Sequence, residues 1–311
     1  MTVVTEPGRL APRRRGRLSR FSKGDRLVLV VMCGIPTLLL IAFVWFPAVS
    51  SIGLSFTSWD GIGGIGTIKW VGLRNYDQIF SIYPPFGPAL RHNLIWLGFF
   101  LFIPTTFGIF LAYLLDKQIR FTRLYQSALY LPVMLSLVLV GFIAELFYSQ
   151  DQGFINDLIG RSGESPDLLG NPKFNLWAVL IAASWRHVGY IMVLYLAGLK
   201  SVDPSLRDAA KVDGASEWQT FRSVIFPVLR PINVVVLVVT VIESLRAFDI
   251  VYVINGGKNG LELLSVLVYD NIVGEASRIG YGSALGTILL VIALGFIITY
   301  LVQNFRSEQQ P

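Results

Sequence analysis

The sequence predicts an all-α membrane protein of six transmembrane helices with both termini on one side of the bilayer, and three observations predict it. The 311 residues are 53% hydrophobic and only 15% charged, with a mean hydropathy of +0.60, which is too apolar for an ordinary soluble domain. Six runs reach the roughly 20 apolar residues that a helix needs to cross a hydrocarbon core. Lysine and arginine are unevenly divided between the alternate segments that join these runs.

The spans are predicted near residues 27–49, 94–115, 127–148, 176–199, 232–254 and 281–303. A basic arm, 1–26, precedes them, a polar loop of residues 200–231 separates the fourth from the fifth, and a short tail, 304–311, follows. The first run is longer than a signal-peptide core and ends in Trp45-Phe46-Pro47 without a small-residue cleavage pattern, so it is expected to stay as an anchor. Pro36, Pro104, Pro132, Gly189 and Gly286 fall inside spans, which membrane helices tolerate when neighbours satisfy the freed backbone groups. Gly282 and Gly286 have the spacing of a close-packing pair.

Orientation follows from the basic residues. The arm, the loop after the second span, residues 200–231 and the tail hold 17 lysines and arginines, against 7 in the remaining loops. The positive-inside rule places the first group in the cytoplasm. The net charge of +6 is then a topological signal and calls for no nucleic acid. Cys33 is the only cysteine, so the chain cannot form an internal disulfide. With His92 and His187 as the only histidines there is no metal-ligand cluster, and no GxxxxGK[ST] phosphate loop occurs.

The loop before the fifth span carries the most specific pattern. Asp203-Pro204 is a helix start, because the Asp side chain caps orphan N–H groups and proline suits the first turn. The helix runs to Val212, Gly214 permits the bend that ends it, and Ser216 with Gln219 has capping-box spacing for a second short helix before Pro227 and Pro231. Asp208-Ala209-Ala210, Gly214 and Ile225-Phe226-Pro227 resemble the EAA coupling loop of permease subunits of ABC importers. Asp208 departs from the family's usual Glu by one methylene. Val71-Gly72-Leu73-Arg74-Asn75-Tyr76 and Phe248–Gly257, which ends in Asn255-Gly256-Gly257, are similar to elements of sugar-importing members.

The resemblance implies a six-helix type I importer permease in a prokaryotic cytoplasmic membrane. It implies a second, sister permease, two ATPase subunits that hold ATP and Mg, and an extracytoplasmic solute-binding protein, with no cofactor bound by this chain. Asp208, Ala209, Ala210, Lys211, Asp213, Gly214, Trp218, Phe221 and Pro227 would then form the ATPase-coupling element. The implied cargo is a sugar or oligosaccharide, with polyols and glycerol-phosphate derivatives as the alternative.

Charged residues inside spans are costly and usually face a bundle interior or an aqueous path. Arg186, His187, Glu243, Arg246 and Asp249 are therefore candidate pathway residues, with Glu145 near the end of the third span. On a continuous helix Glu243, Arg246 and Asp249 share one face, within an arc of roughly 120°. Hydroxyl-rich cargo suits such a face, and Tyr190, Tyr195, Phe248 or Tyr252 can cover the apolar side of a sugar ring. A plainer reading pairs Glu243 with Arg246 at i,i+3 spacing. No paired broken repeats mark an ion-coupled secondary carrier, and no reactive constellation marks a membrane enzyme.

Overall fold

The computed structural model describes residues 22–62, 64–149, 153–154, 167–274 and 277–308. Among them the regular structure is helical, apart from one isolated bridge between Thr57 and Trp70. The basic arm lies outside the described residues up to position 21, as do the last three residues of the tail.

The chain divides into two units at Ser50. In the first, α1 (Lys23–Leu40) begins at Ser22, whose hydroxyl accepts from Asp25 N while the Asp25 carboxylate accepts from Ser22 N, a complete capping box. Pro36 lies inside this helix. A π-helical turn, Ile41–Trp45, leads into α2 (Phe46–Leu54), whose last four residues belong to the second unit.

The second unit contains α3 (Arg74–Ser81), α4 (Phe86–Phe102), α5 (Pro104–Asp116), α6 (Thr122–Tyr130), α7 (Leu137–Tyr148) and α8 (Asn175–Ser201). Beyond these come α9 (Pro204–Val212), α10 (Glu217–Thr220), a π-helical turn Phe221–Ile225, α11 (Phe226–Val228), α12 (Arg230–Leu245), α13 (Asp249–Asn255), α14 (Leu264–Ile272) and α15 (Ile279–Glu308). Segments 24–54, 86–116, 175–201 and 279–304 are each long and apolar enough to cross a membrane. Two bent pairs bring the possible spans to six: 122–134 with 137–148, bent by 102°, and 217–228 with 230–255, bent by 76°.

The predicted third span is thus not one straight helix. Pro132 sits in a 3₁₀ turn, Leu131–Met134, and Ser136 then caps a fresh helix by accepting from Leu139 N at 3.2 Å. The predicted fifth span is also interrupted, because α12 stops at Leu245 and α13 restarts at Asp249.

Close helix approach is set by small residues. A Cβ on Gly189 would stand 2.3 Å from the Leu129 carbonyl oxygen, so α8 touches α6 through backbone. Gly282 in α15 abuts Ile272 of α14, whereas Gly286 is only loosely approached by Val268. Buried asparagines tie segments together: Asn93 accepts from Leu264 N at 2.8 Å, joining α4 to α14. Asn75 donates to the Ser55 and Thr57 carbonyls, both at 2.8 Å, and Tyr76 bonds Ser55 at 2.7 Å. The Asn75-Tyr76 pair is therefore a clasp on the chain just past α2.

Candidate functional site

Two places gather the residues singled out by the sequence. The first is the elbow between α8 and α12. Asp203 caps α9 by accepting from Ser205 N at 2.9 Å, and that bond holds its carboxyl below the ordinary range. At the other end Gly214 has φ +75°, Gly214 N donates to Lys211 O at 3.1 Å, and Ala215 N donates to Ala210 O at 3.0 Å. This double bond with a left-handed glycine is a Schellman stop. Ser216 and Gln219 form a complete capping box for α10. Helix, glycine bend and second helix all appear as the local signals dictate.

The elbow is fixed to the end of α5 by two adjacent residues of opposite charge. Asp116 Oδ2 lies 2.6 Å from Arg207 Nη1 in α9, and the guanidinium also donates to Leu199 O at 3.3 Å. Lys117 pairs with Glu217 at the start of α10 and lies over the Tyr113 ring, 4.7 Å from its centre. The hydrogen bond raises the Lys117 pKa and lowers that of Glu217. Beneath the elbow, Phe221 and Ile225 enter a core with Ala112, Leu115, Ile191 and Leu199.

What remains on the outside is a mixed face. Val212 is 88% exposed and Trp218 63% exposed, with Trp218 stacked on Phe221 at 5.9 Å. Asp208 and Lys211 are exposed and face each other at 3.6 Å; Ala209, Asp213 and Pro227 are exposed as well. Ala210 and Phe221 lie beneath this face rather than on it.

The second place is a cavity of about 300 Å³ lined by Leu137, Arg186, Ile242, Glu243, Arg246, Ala247 and Asp249. Four of the predicted intramembrane charges meet here, by a route the sequence did not reveal. The break after Leu245 means that they do not share one continuous helix. Glu243 pairs with Arg186 of α8 at 3.4 Å and forms no ion pair with Arg246. Among the described residues neither Arg246 nor Asp249 forms an ion pair.

His187, Tyr190 and Tyr252 do not line this cavity. His187 is buried, with Nε2 at 3.3 Å from Thr240 Oγ1 and its ring 4.6 Å from that of Phe100, so it is a satisfied core residue. Tyr190 packs half-buried against the core beneath the elbow. Tyr252 is exposed, stacked on Phe248 at 4.9 Å and edge-on to Tyr269 at 5.0 Å. Tyr269 and Leu137 had no signal of their own in the sequence. Asp116, Lys117 and Glu217 were also missed as anchors, since their partners are about a hundred residues away.

Residues 104–308 match the family described as binding-protein-dependent transport system inner membrane component. A probable ABC transporter permease protein of Pyrococcus horikoshii is 33% identical, over 90% of this chain and 97% of its own length. The xylose/arabinose import permease protein of Haloferax volcanii is 34% identical, over 94% of this chain and 92% of its own. The fold matches that of a bacterial ABC transporter involved in import of the acidic polysaccharide alginate, with a TM-score of 0.76 at 23% identity, covering 91% of this chain and 96% of that one. It also matches a bacterial alginate ABC transporter in complex with an alginate pentasaccharide-bound periplasmic protein, with a TM-score of 0.73 at 22% identity and coverages of 89% and 93%. An all-helical chain that carries this elbow and matches the family over most of its length belongs to the inner membrane components of binding-protein-dependent transport systems, the permeases of ABC transporters.

Proposed function

We propose that this chain is one of two permease subunits of an ATP-driven carbohydrate importer in a prokaryotic inner membrane. An extracytoplasmic binding protein delivers the cargo, a sister permease completes the path, and two ATPase subunits supply the nucleotide chemistry. The elbow of α9, Gly214 and α10 faces the cytoplasm, a reading supported by the excess of basic residues on its side. Its exposed residues, Asp208, Lys211, Val212 and Trp218, seat on one ATPase. Gly214 sets the bend, and Ala210 and Phe221 hold the elbow from below.

The single observation that carries this reading is the double attachment of the elbow to α5, through Asp116–Arg207 and Lys117–Glu217. The better buried Asp116–Arg207 pair is the stronger tie and the exposed Lys117–Glu217 pair adds little, so the elbow follows α5 chiefly through Arg207. Movement of the ATPases thereby biases the bundle between its two states.

Cargo chemistry follows from the cavity. Two guanidinium groups and two carboxylates cancel in charge, and Arg186 is already neutralised by Glu243. Such a site offers donors and acceptors to hydroxyl groups without selecting an anion. A neutral sugar or polyol therefore fits better than a phosphate ester, in keeping with the pentose cargo of the Haloferax relative.

The test is reconstitution of this chain with its sister permease and ATPase in liposomes, with labelled pentoses and oligosaccharides as cargo. Uptake is expected only with ATP on the elbow side and binding protein on the other. Transport by this chain alone down an ion gradient overturns the proposal.

A further inference from the structure

A second polar cavity, also about 300 Å³, lies at the far end of the bundle from the elbow, and its lining includes Ser58, Trp59, Asp60, Arg74, Gln78 and Arg278. Three segments build it: the chain just past α2, the first turns of α3 and the residue before α15. Its frame is rigid. Asn75 clasps the Ser55 and Thr57 carbonyls, Gly280 N donates to Trp59 O at 2.9 Å, and Arg278 N donates to Asn271 O at 2.7 Å. The Arg278 guanidinium is held over the Tyr281 ring at 5.0 Å.

Arginines outnumber carboxylates in the lining of this cavity by two to one. Among the described residues neither Arg74 nor Arg278 forms an ion pair, although Asp60 lines the same space. Asp60 instead accepts from Ile62 N at 2.9 Å. Arg74, Arg278 and Asp60 are all exposed, so two cations and one carboxylate share an open pocket, and a bound anion reduces the repulsion between the cations.

The surroundings identify the anion's source. Ile62, Trp70, Leu73, Phe80 and Ile82, on the segments that carry the cavity, are each at least 65% exposed. Large apolar side chains on the segments that carry a basic pocket, at the end of the bundle where the long apolar helix α15 begins, mark the zone of lipid headgroups. We propose that this cavity binds the phosphodiester headgroup of an anionic phospholipid in the leaflet opposite the elbow. Arg74 and Arg278 bracket the phosphate, and Ser58, Asp60 and Gln78 reach the hydroxyls of a headgroup such as glycerol. The carboxylate of a docking protein would use the same cations, and the response to the binding protein separates that case from lipid.

The test is native mass spectrometry of the full chain titrated with phosphatidylglycerol and with phosphatidylcholine. Wild type is expected to retain phosphatidylglycerol by about 30-fold over phosphatidylcholine, the preference that two interfacial arginines supply. The Arg74→Gln/Arg278→Gln variant should lose that preference, and Arg74→Lys/Arg278→Lys should keep most of it. Equal retention of the two lipids by wild type, or a preference that survives in the glutamine variant, overturns the proposal. So does a glutamine variant that keeps its lipid and loses only its response to the binding protein, because the cavity then serves protein docking. Should the glutamine variant not fold, a photoactivatable phosphatidylglycerol on wild type decides, since labelling must fall on peptides containing Ser58, Arg74 or Arg278, and labelling elsewhere refutes the site.

Discussion

Asp116 Oδ2 accepts a hydrogen bond from Arg207 Nη1 at 2.6 Å, which joins the last residue of α5 to the middle of α9 across 91 positions of chain. The two side chains are unequally buried, Asp116 at 11% exposure and Arg207 at 31%. Removing the arginine strands the more buried charge. Arg207→Ala is therefore expected to cost about 1–3 kcal/mol and Asp116→Ala less, since Arg207 keeps its bond to the Leu199 carbonyl. The double swap Asp116→Arg/Arg207→Asp should recover part of the loss. Thermal unfolding in detergent reads the stability, and cargo moved per ATP hydrolysed reads the coupling. Coupling that is unchanged in both single variants would refute the mechanical role of the pair.

The Lys117–Glu217 contact sits in water and acts through its pH window. The Glu217 carboxyl is held below its ordinary 4.5, so its contribution is present above that value and is lost as pH falls through the lowered pKa. The Lys117 ammonium is held above its ordinary 10.5, so its contribution is present below that value and is lost as pH rises through the raised pKa. Trp218 adjoins Glu217 and stacks on Phe221, so the part of the emission of the seven tryptophans that is lost in Trp218→Phe reports whether α10 is seated. That emission is expected to be flat from about pH 5 to pH 10 and to shift on either side. A transition near neutrality would show that another group controls the elbow.

Gly214 occupies a left-handed conformation with open space around it, since an added Cβ would meet nothing within 4 Å. Any substitution there is opposed by the backbone alone. Gly214→Ala is expected to cost about 1 kcal/mol, Gly214→Asn less and Gly214→Val more, because a β-branched side chain is the worst suited to positive φ. Insertion into the membrane should be unaffected. Uptake should fall in the order Asn, Ala, Val, measured against the amount of permease in the membrane; an indifferent Val variant would remove the elbow from the coupling path.

The caps and the bend of the elbow were readable, but the π-helical turn Phe221–Ile225 and the helix that continues through Pro227 were not. Asp203 before Pro204, Gly214 at the stop and Ser216 three residues before Gln219 each act within one turn of chain, and each appears as its chemistry requires. The anchors were not readable, because Asp116 and Lys117 find partners 91 and 100 positions away and nothing local marks them. The same limit governs the charged cavity. Its members were recognisable as intramembrane charges, but periodicity assumed a continuous helix, whereas α12 ends at Leu245 and Glu243 turns to Arg186. A signal for the 102° bend did exist: Pro132 followed by Ser136 is a helix break and a new cap, which an apolar run of that length conceals.

The cavity charges separate into structural and cargo roles by what each removal leaves behind. Among the described residues Arg246 and Asp249 form no ion pair, so Arg246→Ala and Asp249→Ala strand no counter-charge there and should change stability by no more than about 0.5 kcal/mol. If they hold cargo, each loses a hydrogen bond to a charged group, and the KM for uptake should rise at least about tenfold. Glu243→Ala is the contrasting case. It leaves Arg186 without its carboxylate, in a side chain whose Nε is already buried without a partner, so the folded state itself should weaken. Glu243→Gln keeps an acceptor and should fall between these limits. Uptake kinetics and thermal unfolding on the same four variants make the comparison. KM and melting temperature moving together in all four would mean that the cavity holds the bundle rather than its cargo.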